Sequence, residues 1–409
     1  MAADVSVSQT RAASGTSLLA LLAAVTAVGA ITLNIYLPAR PAVQAYFHTT
    51  TGSTGLTISL AGLAFACGLL AYGPFSDRYG RRPAIMVGLA LFIAGTTVSL
   101  CAISMPMLIA GRILQALGSS AGVTVGRAVV RDRWPPKDIA RNLAYLTMVV
   151  AVANALAPSL GGLLTEVFHW RAVFAALLVA SLCVMTWAAL CLPETLPSSH
   201  PDTRRVSTSR TLINLLQQPS YRGYALQTAI VYATFMVFAA YMPYVMTSCM
   251  GGTPTTYGLC YLFIPAGYFS GNYAIARLST HYGLVRLFTA GTVIQCVAAL
   301  VALLFALLHY WHPIAVFGPW MFLALGQGLI LPNVTAAAVS ENPGAAGTAS
   351  GLLGFIQQVV AAGAVQAMSG VPTNTPLPIA WLVAVATTIA MIDALYSRRG
   401  SASLIPVQS

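Results

Sequence analysis

The chain has 409 residues, of which 57% are hydrophobic and 7% charged. A soluble domain carries about 25% charged residues, and no soluble surface of this size can be covered with so few. The composition excludes a soluble enzyme or binding module and indicates a membrane protein. The formal net charge of +11 does not point to nucleic acid, because the basic residues sit in short clusters between apolar runs and form no single patch.

Long apolar runs in lipid must be helices, since only a helix satisfies its own backbone polar groups there. The first run follows Arg11. It is long for a signal peptide and has no small-residue cleavage site before Pro38, so it reads as a retained span at about 17–38. Spans 2 to 6 are expected at about 54–74, 84–103, 106–127, 142–166 and 171–192. A stretch rich in Pro, Ser, Thr and Arg follows. Spans 7 to 12 are expected at about 222–246, 256–276, 285–308, 314–337, 346–370 and 377–396. The fold class is therefore all-α and membrane-integral, with twelve helices in two six-helix pseudo-repeats. Its divisions are expected at about 1–16 (tail), 17–192 (first bundle), 193–221 (linker), 222–396 (second bundle) and 397–409 (tail).

Placing both termini in the cytoplasm gathers nearly every Lys and Arg on the inside. Arg40 and Arg171 alone fall in outside loops, and Arg112 falls within span 4. That asymmetry supports both the span count and the orientation. The seven cysteines form no CxxC pair and no metal-ligand spacing. They read as buried packing residues, with no disulfide and no metal.

Between spans 2 and 3 stands Gly73-Pro74-Phe75-Ser76-Asp77-Arg78-Tyr79-Gly80-Arg81-Arg82-Pro83. Gly80 permits a tight turn, and Asp77 can sit at a helix N-terminus, where the dipole favours an anion. Arg78 and Arg81 can pair with carboxylates, Asp132 and Asp138 being the candidates. The segment resembles the GxLaDRxGRR/K signature of the major facilitator superfamily. The resemblance implies that Gly73, Asp77, Arg78, Gly80, Arg81 and Asp132 form a latch that closes the cytoplasmic ends of the halves when the transporter faces outward.

Further segments resemble the Bcr/CflA drug-resistance branch. They include Ile35-Tyr36-Leu37-Pro38-Ala39, Gly111-Arg112-Ile113-Leu114-Gln115 and Leu192-Pro193-Glu194-Thr195-Leu196. Ala157, Pro158, Gly161 and Gly162 in span 5 resemble the antiporter motif of exporters, with Ala153 and Ala157 where glycine is frequent. A generic small-residue packing face is the alternative reading of that stretch. The branch implies an alternating-access exporter of small drug-like compounds, such as bicyclomycin or chloramphenicol, in exchange for protons. It also implies a bacterial inner-membrane monomer whose partners are a small-molecule substrate and the bilayer. No cofactor is expected beyond a proton gradient or membrane potential, and no catalytic constellation appears, so no enzyme is expected.

Arg112 is the most informative single residue, because an ionisable group inside a membrane is costly and functional by default. Gln115 and Ser119 share its helical face, and that face is expected to line the central cavity. By resemblance, Arg112 couples substrate and proton binding. The branch usually has an aspartate before its MYLP-like segment, where this chain has Asn34. Asp393, near the end of span 12, is the one acid within a span and the possible proton carrier. A cavity with Arg112 and no anion disfavours lipophilic cations and favours neutral, zwitterionic or anionic substrates. Asn34, Tyr36, Asn154, Tyr232, Phe235 and Gln357 complete the candidate substrate and coupling set. The alternative function is a dedicated importer or exporter of one metabolite, a nucleoside, amino acid, siderophore or organic anion, uncoupled from protons because of Asn34.

Overall fold

A computed structural model describes residues 15–196, 208–342, 346–371 and 374–401. Arg11, Arg204 and Arg205 lie outside these described residues, as do parts of the expected tails and linker.

The described chain is helical. Helix α1 (Gly15–Ile35) breaks into a 3-10 turn at Leu37–Ala39, and α2 (Arg40–Tyr46) continues from it. Pro38 has no amide hydrogen to carry the helix on, which accounts for the break. Then come α3 (Thr51–Tyr79), α4 (Arg81–Leu100), α5 (Met105–Arg133), α6 (Pro136–Phe168) and α7 (Arg171–Cys191). The short α8 (Thr208–Gln217) leads to α9 (Pro219–Cys249). The remainder is α10 (Pro254–Tyr261), α11 (Phe263–Tyr282), α12 (Leu284–Leu307), α13 (Pro313–Ser340), α14 (Ala346–Ala367) and α15 (Leu377–Ser401).

The twelve expected spans are present, with three corrections. Span 8 is two helices, α10 and α11, which meet at Leu262 just before Pro265. Proline removes an i→i−4 bond and crowds the carbonyl one turn back. Most spans run past the apolar window, because polar ends with good caps stay helical in water. Thr50 accepts from the Ser53 amide at 3.2 Å, and Thr253 accepts from the Thr256 amide at 3.2 Å. Finally, the segment read as linker contains α8, whose Leu215 packs with Tyr221, Ala349 and Leu353.

Two apolar clusters hold the first half together. One packs Leu21, Val25, Phe92 and Val125; the other packs Ile35, Tyr36, Trp170 and Phe174. A third cluster fills the second half and takes in Leu37 and Ile58 from the first. The halves therefore share core at one end. Many large apolar residues, Leu70, Val179, Leu190 and Val297 among them, are exposed on the outside of the bundle. The cysteines obey the same inversion. Cys67, Cys101, Cys183 and Cys191 are exposed, and only Cys296 is fully buried. In lipid an apolar side chain gains nothing by leaving the outer surface, so hydrophobicity does not predict burial there.

Candidate functional site

The loop between α3 and α4 is built around Arg81, the first residue of α4. Its Nη1 donates to Asp77 Oδ1 at 2.5 Å and to Ser76 Oγ at 2.7 Å, and its Nε donates to Asp132 Oδ2 at 2.8 Å. One guanidinium thus ties the ends of α3 and α5 to the start of α4. The expected Arg81–Asp132 pair is present. Arg78 makes no such pair and lies over the Tyr79 ring, 5.3 Å from its centroid. Asp138 pairs instead with Arg141 at 3.3 Å.

Asp77 is not at a helix N-terminus; it sits in the last turn of α3. The anion at the start of α4 is Glu194, just beyond α7, which sequence reasoning did not single out. Glu194 accepts from the amides of Arg81 (2.9 Å), Arg82 (3.1 Å), Thr195 (2.9 Å) and Leu196 (2.9 Å). Gly80 is required here twice over. Its φ is +104°, and a Cβ would stand 2.5 Å from Glu194 Oε2. Gly73 contributes its carbonyl to Ser76 Oγ at 3.0 Å.

Partial burial pushes the Glu194 carboxyl up, but the four amides outweigh it and hold the group below its ordinary value. The carboxylate therefore stabilises the junction above about pH 4.3, the unfolded value. That contribution is lost as pH falls through the lower folded value. Exchange protection of the Arg81 and Arg82 amides should fall below about pH 4. Glu194→Gln should weaken it at neutral pH by about 1 kcal/mol, the usual worth of a helix cap. Protection that stays flat through this range would refute the assignment.

The second cluster lies toward the opposite face. Arg112 is 1% exposed. Its Nη1 donates to the Thr32 carbonyl at 3.1 Å and to Gln115 Oε1 at 2.6 Å. Gln115 Nε2 passes the chain on to Thr96 Oγ1 at 2.8 Å. The guanidinium carbon is 4.8 Å from the centre of the Tyr36 ring. Its Nε and Nη2 are buried without a hydrogen-bond partner among the described residues. Arg112, Gln115 and Ser119 are all buried between α1, α4 and α5. Close helix approach explains it, since Gly29 of α1 stands against Ser119.

Asn34 Nδ2 donates to Asn154 Oδ1 at 3.0 Å, joining α1 to α6. Tyr36 is fully buried and 5.6 Å from the Phe174 ring. On α9, Tyr232 and Phe235 are half-buried neighbours, 6.3 Å between ring centres. Gln357 is half-buried, whereas the adjacent Gln358 is buried and its Oε1 faces Gly62 of α3. The signal that could have picked Gln358 is its fit to the small-residue face of span 2. Asp393 lies well away from Arg112 in sequence and fold, accepting from Gln227 Nε2 at 2.8 Å within the second half.

The span 5 residues form the seam between the halves. Ala157 and Pro158 are buried. Gly161 abuts the Ile35 carbonyl of α1, and Gly162 abuts the Pro254 backbone of α10. Ser159 Oγ donates to the Gly258 carbonyl at 2.7 Å, and Glu166 accepts from the Thr255 amide at 3.1 Å. Across α3, Thr54 Oγ1 meets the Tyr244 hydroxyl at 2.6 Å, and Thr51 Oγ1 donates to the Ser369 carbonyl at 3.2 Å. These contacts all lie at the end opposite the Arg81 loop. The Arg81 contacts themselves stay within the first half. An apolar groove of about 750 Å3, lined by Val297, Val301 and Phe322, opens on the outer surface and touches none of these residues.

Residues 20–365 match the family described as Major Facilitator Superfamily. Multidrug resistance protein D of Escherichia coli K12 is 30% identical over 84% of this chain and 86% of its own length. A bicyclomycin resistance protein homolog of Haemophilus influenzae is 23% identical over 88% of this chain and 90% of its own. Among solved structures, a D-xylose-proton symporter superposes with a TM-score of 0.76 at 12% identity, covering 93% of this chain and 97% of that one. An inward-facing, occupied bacterial homolog of the human lysosomal transporter Spinster superposes with a TM-score of 0.74 at 16% identity, covering 94% and 97%.

Proposed function

Because this chain belongs to the major facilitator superfamily and is a secondary transporter of that fold, we propose that it exports small drug-like compounds by alternating access. The carrying observation is the buried Arg112 with two unpartnered nitrogens and no acid beside it, set just below the seam that joins the halves. A group so placed is costly unless something uncompensated comes to meet it. The multidrug and bicyclomycin-resistance relatives support drug-like cargo. The unpaired cation favours neutral, zwitterionic or anionic members of that class over lipophilic cations.

The basic-residue asymmetry supports cytoplasmic termini in a bacterial inner membrane. In that orientation the seam closes the outer face, and the chain is inward-facing. The Arg81 cluster is then a latch at rest, waiting for the second half to close over it. The Asn34–Asn154 pair favours a second reading, in which the usual carboxylate proton carrier is replaced by a neutral amide bridge. The cargo then moves uncoupled from protons. Export of an anion would be helped by the inside-negative potential, by about 2.3 kcal/mol per charge per 100 mV.

Proton release on substrate addition, in lightly buffered detergent, separates the two. The panel is chloramphenicol, an organic acid and a lipophilic cation. Release with the neutral compound supports antiport, and Asp393 is then the residue to mutate. Binding without release supports the uncoupled reading. Tighter binding of the lipophilic cation than of the other two would overturn the substrate class.

A further inference from the structure

Arg40 is the charged residue that the reading above leaves unused. The sequence places it in an outside loop, and the structure instead buries it completely at the start of α2. Its Nε, Nη1 and Nη2 are all buried without a hydrogen-bond partner among the described residues. The guanidinium carbon is 5.1 Å from the centre of the Tyr244 ring and 6.0 Å from that of Tyr241. Arg40 belongs to the first half and both rings belong to α9 of the second. Ring faces return only part of the hydration that a buried cation gives up. The ion pairs among the described residues leave Arg40 out.

Two other polar atoms nearby are equally orphaned. Gln44 Oε1 lies one turn along α2, and the Tyr257 hydroxyl comes from α10; each is buried without a partner. Leu37, Tyr241 and Tyr257 pack in one core cluster, and Tyr36 and Arg40 flank the 3-10 turn that carries Leu37, so these groups share one region. Tyr36 is also the ring under Arg112. Tyr36 therefore links the two buried guanidiniums, with Arg112 against its ring and Arg40 at the other end of its 3-10 turn, against the second half.

We propose that Arg40 is a second anion site on the transport path, taking the carboxylate of an aryl organic acid at the exit after Arg112 has held it deeper in the bundle. The proposal rests on the export reading and narrows its cargo. When the halves part at the seam, Tyr241 and Tyr244 leave with the second half. The planar fork of Arg40 is then uncovered, and five N–H donors in that geometry match a carboxylate bidentately. Tyr36 and Tyr257 offer flat apolar surface with a polar edge, which suits an aromatic body. In the closed state the rings stand in for the anion, so the site has no ligand to release backwards. A carboxylate arriving from outside would bind the parted state alone, and so would favour it.

The test compares 1-naphthoate with its uncharged isostere 1-naphthamide, in proteoliposomes carrying the wild-type chain, Arg40→Gln or Arg40→Lys. Arg40→Gln should slow naphthoate efflux at least about ten-fold and leave naphthamide within about two-fold, as expected for loss of one charge-assisted contact. Arg40→Lys should recover part of the naphthoate rate, since it restores charge without the fork. Equal slowing of both compounds would make Arg40 a brace of the closed seam and overturn the proposal, as would no change in either. If the wild-type chain exports neither compound, the export reading fails, and equilibrium binding then decides the site. A naphthoate Kd raised about ten-fold or more by Arg40→Gln would still support it. An unchanged Kd would end it.

Discussion

Gly162→Leu is expected to slow transport by roughly 5- to 150-fold in a chain that still folds, whereas Gly161→Leu, one residue away, is expected to fail at folding. The two glycines face different neighbours. Gly161 stands against the Ile35 carbonyl of α1, within the first half. Any side chain there meets backbone that cannot move without unpacking Tyr36 and Trp170 from their common cluster. Gly162 stands against α10 of the second half, where a Cβ would come within 2.8 Å of the Pro254 carbonyl carbon and 3.1 Å of Thr255 Cα. That contact forms only when the seam is closed. Overpacking costs about 1–3 kcal/mol, which lowers the closed population by roughly 5- to 150-fold. Turnover should fall on the same scale, because every cycle must pass through the closed seam. Spin labels on α2 and α10 should report a longer distance in Gly162→Leu than in the wild type. Unchanged distances with unchanged turnover would show that the seam is not the moving contact. An unfolded Gly162→Leu would show that the halves do not fold independently of their junction.

The same contrast marks what a sequence can and cannot carry. The spans were legible because lipid leaves the backbone no other option, and the Arg81–Asp132 pair because its loop carries a long and specific pattern. Glu194 was not, since it caps α4 from 113 residues away, and no local periodicity connects a cap to a distant acid. Arg40 lies two residues past Pro38 and just before Pro41, and looked like part of an outside loop. The 3-10 turn at Leu37–Ala39 instead folds it under the second half. That Gln358 is more deeply buried than Gln357 shows only when span 11 is set against the small-residue face of span 2, because a uniformly apolar helix has no local marker of its inner face. The cysteines were misread for a related reason: their helices are apolar on every side, and lipid takes the outer ones. Arg112 was legible as a singular residue. Its enclosure was not, because enclosure depends on how closely Gly29 lets α1 approach Ser119.

That enclosure sets the remaining expectation, on Arg112 itself. Arg112→Met should raise the apparent Tm while weakening binding of acidic or neutral cargo. Replacing a buried, incompletely paired charge with an apolar side chain of similar length is often stabilising by about 1–4 kcal/mol. The loss of binding should be about ten-fold or more, since a hydrogen bond to a charged group is worth about 1.5–3 kcal/mol. An opposing effect must be separated. Removing the guanidinium also strips a donor from the Thr32 carbonyl and from Gln115 Oε1, and leaving a buried acceptor unmet costs about 1–3 kcal/mol. The double variant Arg112→Met, Gln115→Leu takes away one of those orphans, and should be more stable than the single. Arg112→Lys should keep the charge but lose the geometry that reaches both Thr32 and Gln115. If Arg112→Met and the double variant are both less stable than the wild type while cargo binding survives, Arg112 is a pin between α1, α4 and α5. If stability rises as binding weakens, the protein retains a destabilising charge for the sake of its cargo, the trade that buried ionisable groups in membranes generally represent.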